Sequence, residues 1–331
     1  MNRKCCFVIL YFGEFPSYYE LFLKSCKFNK EYDWLVVTDN AKKYEYPQNV
    51  HILQMSFKKL KKLFNEKLGF EVTINSYHKL CDYKPAYGFI FEKELENYNF
   101  WGYCDLDLLF GNLNNFITDD MLNSYDKLFC LGHFTMFKNT YENNRIFLKE
   151  YKGELLYKKV FTTEKTMIFD EPYGIGRGSC INDMFMYYDK KIYMEDFSLN
   201  LTIAPANIVR AKYDVKENIF KNIKYRNSIF LWRKGNLYRV YVKNKNILKE
   251  EFNYIHFQSR DMKMEANILK EDTIKILGDG FYTLENNNIN INNFSKIKKR
   301  IISLRYFKKM YRWKVNGIKR KFSGVLKKYE N

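Results

Sequence analysis

The sequence predicts an α/β fold, a mixed sheet flanked by helices, followed by a basic helical extension at its C-terminal end. Three observations carry that prediction. Unbroken apolar runs at 5–12 (CCFVILYF) and 33–38 (DWLVVT) have the composition of strands covered on both faces. Stretches of helical periodicity alternate with them, as in a sheet with helices on its faces. The net charge of +18 is concentrated after position 293, where fourteen Lys and Arg stand against the single acid Glu330.

The first run ends at Gly13, and 18–26 then offers an amphipathic helix. The second run closes on Asp39 and Asn40, and 50–55 reads as a third strand. Residues 56–68 form a helix with Leu60, Leu63, Phe64 and Leu68 on one side. Sheets of this class bind ligands beyond the carboxyl ends of their strands, so the residues after Phe12 and after Thr38 belong beside the site. Residues 77–98 read as a loop and then a helix starting near Pro85, a residue suited to a first turn. Strands are expected at 100–110 (FWGYCDLDLLF) and 128–137 (LFCLGHFTMF). The stretch 169–180 (FDEPYGIGRGSC) is Gly-rich and loop-like, and 230–242 and 252–257 are strands of a later, mixed portion. A polar break at 286–293 divides a catalytic domain, 1–293, from a tail, 294–331.

Composition excludes several classes. With 46% hydrophobic and 28% charged residues the chain can bury a core, which rules out wholesale disorder. Without the tail, 42 basic and 37 acidic residues remain, so the body lacks the basic surface of a nucleic-acid-binding protein. Seven scattered cysteines with no CxxC pair read as reduced thiols of a cytoplasm. No run approaches the roughly 18 apolar residues of a membrane span, and no cleavable leader is evident. A soluble or peripheral protein is expected.

Asp105-Leu106-Asp107 is the only DxD. On a strand, residues two apart face the same side, and two carboxylates so placed repel unless a cation lies between them. Mg²⁺ and Mn²⁺ suit such oxygen ligands and commonly bridge to substrate phosphates. Trp101 before the pair and Leu108 to Phe110 after it argue against an exposed turn, the alternative being a solvated strand end. His256, in an aromatic strand, is either a hydrogen-bonded core residue or an imidazole ligand. Asp39 can face a ribose or base edge, or serve as a helix N-cap or turn residue. Lys79 and Lys84, with Asp82 between them, can neutralise a diphosphate or form surface ion pairs. No GxxxxGK[ST] or GxGxxG is present, which disfavours P-loop and dinucleotide sites.

Together these blocks resemble one bacterial family. The strings YFG at 11–13, VTD at 37–39, KLCDYKPAYG at 79–88, FWGYCDLD at 100–107 with Gly111, GH at 132–133, FDE at 169–171 and YIHFQSR at 254–260 are similar to glycosyltransferases of capsule and lipopolysaccharide synthesis with the GT-A fold. The likeness spans about the first 260 residues, and FDE is followed here by Pro172 where such families usually have an aromatic residue and glycines. The resemblance implies a nucleotide-sugar donor held by Phe12, Asp39, Lys79, Asp82, Lys84 and Asp105, and Mn²⁺ (or Mg²⁺) held by Asp105, Asp107 and His256. An acceptor hydroxyl attacking from the opposite face needs a carboxylate to take its proton, and Asp170 and Glu171 are the candidates, with Asp183 behind them. A cap or loop-stabilising role is the alternative for these acids.

From Ile297, the positions Ile301, Leu304, Phe307, Tyr311, Val315, Ile318, Phe322 and Val325 step by three or four, with Lys and Arg on the remaining faces. Such a helix suits an anionic membrane surface, or packs on the body with a solvated basic back. The resulting expectation is a cytoplasmic enzyme, peripheral on the inner face of the cell membrane. It would extend a surface glycan on a glycan or lipid-linked acceptor and bind no nucleic acid. A non-catalytic glycan- or nucleic-acid-binding protein with a basic tail is the rival.

Overall fold

The computed structural model describes residues 3–172, 179–203 and 208–298, and beyond them 307–308, 310–316 and 318. Its centre is a seven-stranded mixed sheet in the order β3-β2-β1-β4-β7-β6-β8. The strands are β1 (Cys5–Leu10), β2 (Tyr32–Thr38), β3 (Val50–Gln54), β4 (Phe100–Cys104), β6 (Lys127–Leu128), β7 (Phe134–Lys138) and β8 (Ile192–Tyr193). The first four lie parallel, and β7 runs antiparallel between β4 and β6.

The period of two along a strand sorts side chains onto both faces. Cys6 and Val8 of β1 join Leu35 and Val37 of β2 in one core, under Leu60 and Phe64 of α2 (Phe57–Leu68). Cys5, Phe7 and Ile9 join Trp34 and Val36 in the other, under Tyr19, Phe22 and Cys26 of α1 (Tyr19–Phe28). That two-sided burial explains why the sequence runs are continuously apolar. Helix α2 starts where the Ser56 side chain accepts from the Lys59 N–H, and stops at Gly69 in the left-handed region. All seven cysteines are unpaired.

Two expected strands are broken. The run 100–110 divides into β4 and β5 (Leu108–Phe110), and the acids occupy the break. Strand β5 leaves the main sheet for a three-stranded one, antiparallel to the strand Tyr254–His256, which pairs in parallel with β9 (Leu199–Asn200). The run 128–137 divides into β6 and β7, with Gly132 and His133 at the turn. Residues 77–98 fold as a 3₁₀ segment, Tyr77–Ala86, and two short helices, Tyr87–Ile90 and Glu92–Leu95.

A six-stranded sheet built on the hairpin Ser228–Arg233 and Asn236–Lys243 packs Trp232, Leu237 and Phe252 against Tyr18 and Leu21. The Trp232 ring N–H donates to the Phe110 carbonyl at 2.8 Å, tying this sheet to β5. The break expected at 286–293 is followed by a helix, Ile291–Lys298, that crosses position 293 and buries Phe294 against Ile229 and Val240. Farther along, 310–316 is helical and Phe307, Tyr311 and Ile318 are exposed, while Ile301, Leu304, Phe322 and Val325 lie outside the described residues. Among the described residues no helix is long and apolar enough to cross a membrane.

Candidate metal centre and its surroundings

The break between β4 and β5 places both acids of the DxD at the junction of two sheets. The Asp105 N–H donates to the His133 carbonyl at 3.0 Å, and the Asp107 carbonyl accepts from the Phe257 N–H at 3.0 Å. Pairing of β5 with Tyr254–His256 sets His256 opposite Leu108 and swings its ring over the carboxylates. His256 Nε2 lies 3.2 Å from Asp107 Oδ1 and 3.8 Å from Asp105 Oδ2. One ligand atom from each of the three residues lies within 4.8 Å of the other two. The carboxylates therefore converge because the chain changes sheets between them, not because one strand presents both on one face.

The electrostatics of this cluster suit a cation. Burial raises the Asp107 carboxyl, but the adjoining His256 outweighs it, and the Ser259 N–H donating to Oδ2 at 2.5 Å helps to hold the group below its usual range. Burial lowers the His256 imidazole, and the charge of Asp107 overrides it, so the ring is raised above its ordinary value. Its Nδ1 meets the side-chain oxygen of Asn200 at 3.0 Å, which leaves Nε2 toward the acids. Two carboxylates and one imidazole nitrogen directed at one point fit a divalent ion of the Mn²⁺ or Mg²⁺ kind.

A second layer is organised by Lys84. Its ammonium donates to Asp105 Oδ1 at 2.7 Å and to the Gly132 carbonyl at 2.8 Å, and pairs with Asp170 Oδ2 at 3.3 Å. Burial alone would lower this lysine, yet Asp105 and Asp170 raise it well above its ordinary value. Asp170 is itself buried, and burial pushes its carboxyl up to about 7 against the pull of Lys84. Glu171, raised by burial, accepts from the Gly132 N–H at 2.8 Å. A side chain at position 132 would overlap the Asp170 carboxylate, so glycine there permits the close approach. Asp170 and Glu171 thus stand in the same network as Asp105. Asp183 does not: it accepts from the Cys180 N–H at 2.9 Å and caps the helix Ile181–Tyr187. Residues 173–178 of the Gly-rich loop lie outside the described residues.

Phe12, Gly13 and Asp39 meet at the carboxyl ends of β1 and β2. The Gly13 N–H donates to Asp39 Oδ1 at 2.8 Å, and Gly13 takes φ +89°, a turn that glycine allows freely. Asp39 is exposed, and it clamps this turn as the turn-residue reading expected. Phe12, expected to face a donor, is instead buried against Phe57 and under Tyr77, with the Phe12 and Tyr77 ring centroids 5.9 Å apart, so the exposed Tyr77 (54%) presents the aromatic face. Tyr11 links this corner to the acids, since the charge of Asp107, after burial, raises its hydroxyl.

Lys79 and Asp82 depart from the expectation that they bind a donor. Both are fully buried, the Lys79 ammonium donating to Asp82 at 2.7 Å and to the carbonyls of Val160 and Lys165. Asp82 accepts in turn from the N–H groups of Met167 and Phe169. An ammonium has three donors, all used here, so nothing is left for a diphosphate. Conversely, sequence reasoning gave no site role to Asn200 or His133. His133 is buried, its Nδ1 lies 3.0 Å from the Tyr254 hydroxyl, and its ring centroid is 4.4 Å from that of His256. Burial keeps it neutral, and its Nε2 has no hydrogen-bond partner. The GH string alone marked His133, and no motif marked Asn200.

Fold and site together define an α/β protein with an acid–imidazole cluster able to hold a metal ion where two sheets meet. The chain belongs to a family described as a family of unknown function (DUF6625), which it matches over residues 7–285. No curated protein matches it. Similar solved structures include galactosyltransferase LgtC in complex with donor and acceptor sugar analogs, 11% identical, covering 60% of this chain and 76% of that one at a TM-score of 0.32. Mouse xyloside xylosyltransferase 1 in its apo form is 11% identical, covering 61% and 89% at 0.35. Glycosyltransferase GlyE of Streptococcus pneumoniae TIGR4 is 11% identical, covering 58% and 45% at 0.27. Scores this low assign no chemistry, so the functional reading rests on the site itself.

Proposed function

We propose that the chain is a metal-dependent glycosyltransferase that moves a sugar from a nucleotide-sugar donor to a growing bacterial surface glycan, of capsule or lipopolysaccharide. The observation that carries this reading is the convergence of Asp105, Asp107 and His256, with the exposed Asp39 and Tyr77 at the neighbouring strand ends, where Tyr11 feels the charge of Asp107. That corner offers an aromatic face and a carboxylate edge to a nucleoside, at the strand ends where such sheets take ligands. Asp105, Asp107 and His256 would hold Mn²⁺ (or Mg²⁺), which when bound neutralises charge on a departing diphosphate as a Lewis acid.

Lys84 keeps Asp105 oriented and adds a fixed positive charge beside the cluster. Asp170, with a carboxyl at about 7, is poised to take a proton from an acceptor hydroxyl near neutrality, and Glu171 is its neighbour for the same task. In this reading the body through the helix Ile291–Lys298, which packs Phe294 into it, is the catalytic unit. The basic segment after it rests on the anionic inner face of the cell membrane, close to a lipid-linked acceptor, with Phe307, Tyr311 and Ile318 as apolar contacts.

The test is a screen of UDP-, GDP- and CDP-sugars with Mn²⁺, reading released nucleotide, with and without lipid-linked glycan acceptors. Metal-dependent release by the native chain, lowered at least 100-fold in Asp107→Ala and His256→Ala while both remain folded, is expected. Binding of a donor or glycan with no turnover under any acceptor would instead mark a non-catalytic glycan-binding protein.

A further inference from the structure

Asn200 and Gln258 contact none of the proposed ligand atoms, yet they bear directly on one of them. The register of β9 against Tyr254–His256 sets Asn200 opposite His256, and both residues are buried. Asn200 Oδ1 lies 3.0 Å from His256 Nδ1 and accepts from the Gln258 side-chain amide at 2.9 Å, and that amide nitrogen is 3.4 Å from His256 Nδ1. The Asn200 amide nitrogen points away, 3.5 Å from the Ala211 carbonyl, so the oxygen is the atom left for His256. An amide oxygen only accepts, and its two lone pairs are both engaged. The shorter and therefore stronger contact of His256 Nδ1 is to this acceptor-only oxygen, which places hydrogen on Nδ1, and a neutral ring then turns the lone pair of Nε2 toward Asp105 and Asp107.

Gln258 reaches this oxygen through an uncommon turn. Gln258 and Ser259 both take left-handed backbone, at φ +54° and +51°, a conformation that side-chain-bearing residues adopt only when their surroundings hold them there. The same turn delivers the Ser259 N–H to Asp107 Oδ2. A single strained turn thus serves two of the three proposed ligands, one directly and one through Asn200.

We infer that Asn200, braced by Gln258, is a positioning residue of the metal site: it fixes the Nδ1–H tautomer of His256 and aims Nε2 at the cation. The inference rests on the metal-site reading above and deepens it. Partners of this kind, behind a ligand, are typically worth about 10- to 100-fold in metal affinity.

Mn²⁺ titration of the full-length chain by calorimetry is the test. Asn200→Leu is expected to weaken Mn²⁺ binding by about 10- to 100-fold. Asn200→Asp, whose carboxylate accepts the same N–H, should keep affinity near that of the native chain. Independently of any variant, long-range proton–nitrogen NMR of the Mg²⁺-loaded native chain should find hydrogen on Nδ1 and none on Nε2 of His256. A folded Asn200→Leu protein binding Mn²⁺ as the native chain does, or hydrogen on Nε2, overturns the inference alone. Should the native chain take up no Mn²⁺, or His256→Ala bind it undiminished, the metal-site reading fails and this inference with it.

Discussion

Lys79 and Lys84 look interchangeable in the sequence and end in opposite roles. Lys79 is sealed against Asp82 and two carbonyls, whereas Lys84 bridges Asp105, Asp170 and Gly132 at the site. Spacing along the chain carries no information on which of two nearby lysines the later segments will cover. Asp170 shows the consequence of burial for one group. Its folded value of about 7 lies above the ordinary 3.8, so between those values the folded chain keeps a proton that the unfolded chain has released. Its contribution to stability is thus fully present below 3.8 and is lost as pH rises to about 7. Asp170→Asn cannot titrate, so the melting temperature of the native chain relative to that variant should fall across this window. A constant difference from pH 4 to 8 would contradict the assignment.

The two central strands were legible because burial on both faces demands continuous apolar sequence, as at Cys5–Leu10 and Tyr32–Thr38. The helix Phe57–Leu68 was legible for a different reason, its apolar residues recurring at helical spacing along one side. The division of 100–110 was not, because Asp105-Leu106-Asp107, with Leu106 as buried as its strand neighbours, alternates as a continuous strand would. What divides it is a change of sheet, set by pairing of Leu108–Phe110 with a strand nearly 150 residues later. Asn200 was hidden for the same reason: its partner is assigned by register. The segment Tyr77–Ala86 is held similarly, by Lys79 and Asp82 gripping the chain from Val160 to Phe169, just before Asp170. Removing one partner of a fully buried ion pair costs about 3–5 kcal/mol. Lys79→Met should lower the urea midpoint accordingly, and a variant as stable as the native chain would refute this anchoring role.

Taken together, the folded body gathers one cluster of charge at the meeting of three layers: the carboxyl end of β4, the turn between β6 and β7, and the strand bearing His256. Among the described residues, other ion pairs lie at the surface, as Lys61 with Glu71 does, or are buried away from ligands, as Lys79 with Asp82 and Arg210 with Asp196 are. The excess positive charge lies after position 293 in the sequence, and the membrane-docking role proposed for that segment would draw on it. Everything functional in this account depends on a divalent ion among Asp105, Asp107 and His256. Anomalous diffraction from crystals of the full-length protein grown with Mn²⁺ addresses that dependence. A manganese peak within coordinating distance of both carboxylates and His256 Nε2 is the predicted result; a peak elsewhere, or none at this position, would contradict the account.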